Sequence, residues 1–172
     1  MAAHRLSELV DLKQLKHLLD AQAEITGMPM GLLDKDGTIL AASGWREICT
    51  RFHRVHPETK RLCQAYHCQP PGEHLSEFKP CPNGLWDLNL PILVAGEHVA
   101  TLMLGQFFFE GERPGEAFFR SQAEHMGFDV GAYLEALSQV PTFSREKVSK
   151  LQEYTQTLVS FIAELGLQRM KS

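Results

Sequence analysis

Cys81-Pro82-Asn83-Gly84-Leu85-Trp86-Asp87-Leu88-Asn89-Leu90-Pro91-Ile92 continues through Val94-Ala95-Gly96-Glu97-His98 and ends at Leu104-Gly105-Gln106-Phe107-Phe108-Phe109. Two apolar runs meet at an Ala-Gly-Glu turn, and the first opens on a cysteine beside Pro and Gly. A turn signal between two such runs predicts an antiparallel hairpin, residues 85–94 against 97–109. The hairpin is a scaffold, and the thiol and amide groups at its mouth form a candidate site.

Outward from the hairpin, the N-terminal side predicts a helix over 7–24, since Leu9, Leu12, Leu15, Leu18 and Leu19 recur at near-helical spacing and Gly27 is a natural stop. Asp34-Lys35-Asp36-Gly37 separates the apolar runs 28–33 and 38–42, a second hairpin signal. Residues 45–54 and 57–67 carry mixed polar and apolar side chains without strand alternation and predict two short helices, with Pro57 at the first turn of the second. Residues 70–82, with four prolines, predict an irregular loop. Helices are expected over 117–126 and 131–137, and a long one from Arg145 to about Arg169 with Ser144 as N-cap. The fold class is α+β, a small antiparallel sheet flanked by helices.

The last helix carries a heptad seam. Val148, Leu151, Thr155, Leu158, Ile162, Leu165 and Arg169 are spaced 3, 4, 3, 4, 3, 4. Two readings follow: a helix packed on its own sheet, or a parallel dimer helix that continues into a following domain. The chain stops at Ser172, soon after the seam ends, which reads as a module cut from a longer protein. The expected organisation is one domain over 1–172, with 145–172 as a signalling helix leading to an output domain.

The 172 residues are enough for one domain with a sizeable core. Net charge is −4, and no basic stripe marks a nucleic-acid footprint. The densest basic cluster, Arg46, Arg51, Arg54, Lys60 and Arg61, reads as a solvated helix face. Met1–Arg5 has no signal-peptide pattern, and no apolar run approaches the length that spans a membrane. The expected location is cytoplasmic, with no membrane or nucleic-acid partner for this domain.

Cys49, Cys63, Cys68 and Cys81 lie within 33 residues, with 13, 4 and 12 residues between them. Zinc knuckles place ligands two to four residues apart, and only Cys63 and Cys68 come near that. Three readings stay open: buried thiols lining a pocket, a zinc or iron site using all four, and a redox-sensing pair. No cofactor is required by the first. Trp45 and Trp86, each close to a cysteine, serve either the core or a pocket wall. Asn83-Gly84 is a turn whose glycine allows close approach to a ligand. Gln106 lies among Leu, Gly and Phe, and its amide needs partners, either the backbone of a neighbouring strand or a ligand. His98 is expected at the surface. Nucleophile-elbow, zinc-protease, phosphate-loop and dinucleotide signatures are absent, so the chain does not read as an enzyme.

Several of these segments together resemble the sensory domain named for the bacterial regulator PocR. They are Gly31-Leu32-Leu33-Asp34-Lys35-Asp36-Gly37, Ile48-Cys49, the Cys63 region, Cys81-Pro82-Asn83-Gly84-Leu85-Trp86-Asp87, Pro91-Ile92, Gly105-Gln106, Gly127-Phe128-Asp129 with Tyr133-Leu134, and Val140-Pro141-Thr142-Phe143-Ser144. The resemblance implies a PAS-like domain at the input end of transcription factors, histidine kinases or cyclic-di-nucleotide enzymes. It also implies a small organic ligand such as a short diol. Cysteines at the positions of Cys49, Cys63 and Cys81 match the family, and Cys68 is additional. The expected ligand-binding residues are Trp45, Cys49, Cys63, Cys81, Asn83, Gly84, Trp86 and Gln106. The expected partners are that ligand and a second copy, joined through the C-terminal helix. The alternatives are a metal or redox sensor and a dimerisation module with an empty core.

Overall fold

The hairpin predicted from Cys81 to Phe109 forms the two longest strands of a computed structural model that describes residues 4–67 and 79–172. The elements in chain order are α1 (Leu6–Leu9), α2 (Leu12–Thr26), β1 (Met30–Asp34), β2 (Ile39–Ser43), a π-helical segment (Ile48–His53) and α3 (Pro57–His67). They continue with β3 (Lys79–Pro80), β4 (Trp86–Val94), β5 (Glu97–Phe109), α4 (Glu116–Met126), α5 (Val130–Ser138), β6 (Thr142–Phe143) and α6 (Arg145–Lys171). Five strands pair antiparallel in the order β2-β1-β5-β4-β3, and β6 pairs in parallel with the far end of β5. This is an α+β, PAS-like architecture.

The β4–β5 turn consists of Ala95 and Gly96, both at positive φ (52° and 79°) between the paired Val94 and Glu97. Two positive φ values give the turn the twist of the strands it joins. Ala95 is the one non-glycine residue at positive φ among the described residues. An alanine Cβ is strained there, whereas asparagine tolerates the left-handed region. Ala95→Asn is expected to raise unfolding stability by about 0.5–1 kcal/mol, measured by urea titration. A fall in stability would refute this account of the turn.

Further along, β5 has a bulge. Trp86 pairs with Phe107 and Asp87 with Gly105, so Gln106 is an extra residue opposite a continuous β4. Side chains alternate faces along a strand, so one inserted residue reverses the alternation beyond it. Before the bulge Leu102 and Leu104 face one core, and after it Phe107 and Phe109 face that same core. Gln106 and Phe108 are thereby turned to the opposite face, where Phe108 joins a second core.

The first core is the outer face of the sheet. Met30, Leu32, Leu88, Leu90, Ile92 and Val94 pack there against Leu6 and Leu9 of α1, Leu15 and Leu19 of α2, and Val148, Leu151 and Ile162 of α6. Each such side chain contributes roughly 1.5–3 kcal/mol on full burial. The second core lies at the other face and joins Ile48, Cys49 and Phe52 to Cys81, Leu85, Phe119 and Tyr133.

Four sequence expectations are corrected. The first helix is two helices, because Asp11 leaves the helical conformation and accepts hydrogen bonds from the Lys13 and Gln14 amides as the N-cap of α2. Residues 45–54 form a π-helical segment only over 48–53, and the expected loop 70–82 contains an edge strand, β3. The remainder of that loop lies mostly outside the described residues. Third, β6 was not foreseen, since two residues carry no periodicity. Fourth, the heptad seam does not hold along the whole helix, and its buried positions pack on the chain's own sheet, as one of the two readings had it. Val148, Leu151, Thr155 and Ile162 are buried there, and the next buried position is Gly166, not Leu165. A straight α-helix repeats every 3.6 residues, so from Val148 the buried line reaches Gly166 in five turns while a heptad line drifts off it. An added Cβ at Gly166 would come within 3.1 Å of Val94, which shows how closely α6 approaches β4. Leu165 and Arg169 are left exposed. Ser144 caps α6 as expected, accepting from the Lys147 amide.

Candidate functional site

Residues directly opposite each other in a ladder share a face. Gly31 on β1 pairs with Met103 on β5, which pairs with Asn89 on β4; Leu33 pairs with Thr101, which pairs with Pro91. Asp87 lies two residues before Asn89 and so projects to the same side. The inner face therefore carries Asp87, Asn89, Thr101 and, beyond the bulge, Gln106, all of them buried. Four polar side chains on one buried face need partners from whatever covers it.

What covers it begins with Trp45. A Cβ on Gly31 would sit 2.6 Å from Trp45 Cζ2 and 3.0 Å from Nε1, so the indole packs directly on the strand where only glycine leaves room. The Arg54 guanidinium stacks on the ring at 4.8 Å. Trp45 Nε1 is buried and has no hydrogen-bond acceptor among the described residues. A buried indole N–H normally has one, and leaving it unmade costs about 1–3 kcal/mol. Gln106 secures the next residue, its Oε1 accepting from the Arg46 amide at 3.0 Å. The amide of Gln106 thus serves backbone, as one of the two expectations had it, but the backbone is that of the segment leading into the π-helix and not of a strand.

The thiols come next. Cys49 on the π-helix, Cys63 on α3 and Cys81 before the turn are all buried. Burial pushes the Cys49 thiol well above its ordinary range, and the neighbouring Cys81, Cys63 and Asp87 act in the same direction. Burial, followed by the Asp87 carboxylate, also raises Cys81 far above its ordinary range. These three segments therefore converge beside Asp87, with Cys49 and Cys81 protonated at neutral pH. Among the described residues, no three His, Cys, Asp or Glu side chains are grouped so as to hold a metal ion. Cys68, the fourth member of the possible zinc or iron set, lies outside the described residues.

The turn at Cys81–Gly84 is closed by the Gly84 amide donating to the Cys81 carbonyl at 2.9 Å. Asn83 is buried and occupied: its Nδ2 donates to the Thr59 carbonyl on α3, and its own carbonyl accepts from Gln122 on α4. Gly84 does make a close approach, but to α4, since a Cβ there would lie 2.7 Å from Phe118 and 3.1 Å from Phe119. Trp86 stands edge-on to Phe109 at 5.1 Å and packs on both cores. His98 is half-buried, its Nε2 2.9 Å from Thr101 Oγ1. Of the eight expected ligand residues, the structure thus gathers Trp45, Cys49, Cys63, Cys81 and Gln106 around the inner face. Asn83 and Gly84 fasten the turn to the helices.

Behind Cys49 lies a polar network that the sequence reading did not anticipate. Tyr133 is fully buried; its hydroxyl is 2.5 Å from His53 Nε2 and accepts from Gln122 Nε2 at 2.8 Å. Gln122 Nε2, a donor only, also lies 3.3 Å from His53 Nε2, so that nitrogen accepts and the Tyr133 hydroxyl donates to it, leaving the imidazole hydrogen on Nδ1, 3.9 Å from Cys49 Sγ. The His53 carbonyl accepts from Thr59 Oγ1. Burial lowers the His53 pKa from 6.5 to about 4, so the ring is neutral at pH 7.

Asp87, Asn89 and Thr101 were missed for a different reason. In Trp86-Asp87-Leu88-Asn89-Leu90 the polar residues alternate with leucine, which is also the pattern of a strand with one face in water. The missing information was that helices cover both faces.

A PAS-like sheet with its outer face under the terminal helices and a polar inner face under Trp45 is the frame of a sensory domain. Residues 8–167 match the family described as the sensory domain found in PocR. The chain belongs to that family and is a sensory domain. No curated protein matches it. Among the described residues no helix is long and apolar enough to cross a membrane.

Proposed function

We propose that this chain is a non-catalytic, cytoplasmic input domain that binds a small neutral hydroxylated molecule on the inner face of the sheet. The ligand lies on the floor of Asp87, Asn89 and Thr101, beside the lid of Trp45, with Cys49, Cys63 and Cys81 as walls. The observation that carries this reading is the buried Trp45 Nε1, without an acceptor among the described residues and held against Gly31 on the sheet face that carries that polar floor. One hydroxyl oxygen of a short diol accepts from Nε1 while the other hydroxyl donates to Asp87, two strands across the sheet. The protonated state of Cys49 and Cys81 supports thiols that serve as wall more than as a redox pair, since thiolate is the reactive form.

The signal leaves through the outer face. Gln106 ties the lid segment to β5, and α6 packs on the neighbouring β4. Gln22 Nε2 reaches Thr155 Oγ1 between α2 and α6 at 3.4 Å, while Gln22 Oε1 is buried without a donor. An incompletely satisfied polar joint supports two arrangements of these helices, and a ligand shifts them only by its difference in affinity. The domain occupies 1–172, and residues 145–172 hand the shift to an output domain such as a transcription factor or histidine kinase. Exposed Phe161 and Leu165 on α6 and Leu18 on α2 support a homodimer through that helix. The domain itself engages neither nucleic acid nor membrane.

Titration calorimetry with short-chain diols is the direct test. Asp87→Asn and Trp45→Phe are each expected to weaken binding about tenfold or more, the worth of one hydrogen bond to a charged or desolvated group. If no diol or simple alcohol binds, or if both variants bind as wild type does, the inner-face reading fails.

A further inference from the structure

The basic cluster that reads as a solvated helix face contains one arginine that is not solvated in that way. Among the described residues, Arg46 Nε is buried without a hydrogen-bond partner and its guanidinium forms no ion pair. Arg46 lines a groove of about 440 Å³ between the Trp45–Arg51 segment and α5. The small side chains Ala132 and Ala136 leave the space open on the α5 side, and Gln139 stands in the lining with them. Arg51, in the same groove, is bound to Glu47 at 3.3 Å. Glu135, on the α5 wall, has no ion-pair partner among the described residues and does not reach Arg46. Among the described residues the groove thus holds a cation and an anion without ion-pair partners on opposite walls, separated by a space of ligand size.

We propose that this groove is a second binding site, distinct from the inner face, and that it takes a small α-amino acid. The carboxylate meets Arg46, whose guanidinium edge offers parallel N–H donors to two oxygens. The ammonium meets Glu135, and a small side chain lies against Trp45 and the alanines. A phosphate or dicarboxylate is disfavoured, because Glu47 and Glu135 both border the groove. Occupation bears on the inner site through Trp45, which lines the groove and covers the sheet, and through the Arg46 amide held by Gln106.

The test is calorimetry of the full chain with L-alanine, using propionate and ethylamine as single-charge probes. L-alanine is expected to bind saturably, and each single-charge probe about tenfold or more weaker. Arg46→Gln and Glu135→Gln are each expected to weaken L-alanine about tenfold or more. Arg46→Lys should restore only part of the affinity, lacking the planar fork. Glu135 is exposed, so its variant reads binding without disturbing the fold. Propionate binding as tightly as L-alanine, an unaffected Glu135→Gln, or no saturable heat with L-alanine would each overturn the proposal.

Discussion

Gly105→Ala is expected to lower the melting temperature by roughly 6–12 °C, the equivalent of about 3 kcal/mol in a chain of this size. Gly105 sits in the β5 bulge at φ 134°, a region essentially confined to glycine. An added Cβ would lie 2.6 Å from Asp87 Cβ, 2.8 Å from the Trp86 carbonyl oxygen and 2.9 Å from Asp87 Cα. Those are main-chain or near main-chain atoms of a paired strand, so no side-chain rotation relieves the contact. Gly111→Ala separates the two contributions, because Gly111 also has positive φ (74°) but nothing within 4 Å of an added Cβ. That control is expected to lose only about 1–2 kcal/mol. Equal losses in the two variants would mean that the close approach of β4 to the bulge contributes nothing. The bulge also directs Gln106, so Gly105→Ala should weaken diol binding in whatever fraction remains folded.

Acidification is expected to cost about 3 kcal/mol of stability between pH 6.5 and pH 4 through His53 alone. The sign follows from its environment. Burial depresses the folded-state pKa from 6.5 to about 4, so within that window the unfolded chain binds a proton that the folded chain refuses. Stability is full above pH 6.5, falls with pH across the window, and loses nothing further from this group below pH 4. The hydrogen bonds act in the same sense, since a proton on Nε2 would displace the one the Tyr133 hydroxyl donates there. His98 is lowered as well by its partial burial and adds a smaller loss of the same sign. Asp20 and Asp36 are lowered from 3.8 and act at more acid pH. His53→Phe, which cannot titrate, isolates the term: its urea midpoint should fall less steeply over the window than that of wild type, from a lower starting stability. Parallel slopes would show that His53 takes up its proton without opposing the fold. His53→Gln provides the same comparison with a polar side chain should the phenylalanine variant fold poorly.

How much of this was legible in the chain varies element by element, according to the range of the forces involved. The central hairpin, α3, the two helices after Phe109 and the cap of α6 by Ser144 followed from local signals, because turn residues, apolar periodicity and caps act over a few positions. The break at Asp11 was legible in principle, an N-cap aspartate inside a leucine pattern, but the longer periodicity masked it. The convergence of Cys49, Cys63 and Cys81 came from resemblance, since nothing in the spacing 13, 4, 12 brings those thiols to one carboxylate.

The sequence by itself determined an α+β chain, a hairpin ending at Phe109, a long capped C-terminal helix and membership of a sensory family. Tertiary structure alone decided which faces those elements turn inward. A single inserted residue at Gly105–Gln106 reverses every later side chain of β5, and that reversal depends on the register against β4. Whether Asp87 and Asn89 face water or the protein interior depends on what covers that side of the sheet, and the cover begins with Trp45 on Gly31, more than forty residues away in the chain. The seam of α6 likewise reads the same toward a partner or toward the chain's own sheet. Its choice rests on the drift of a 3.6-residue helix along β4, which only the assembled core reveals.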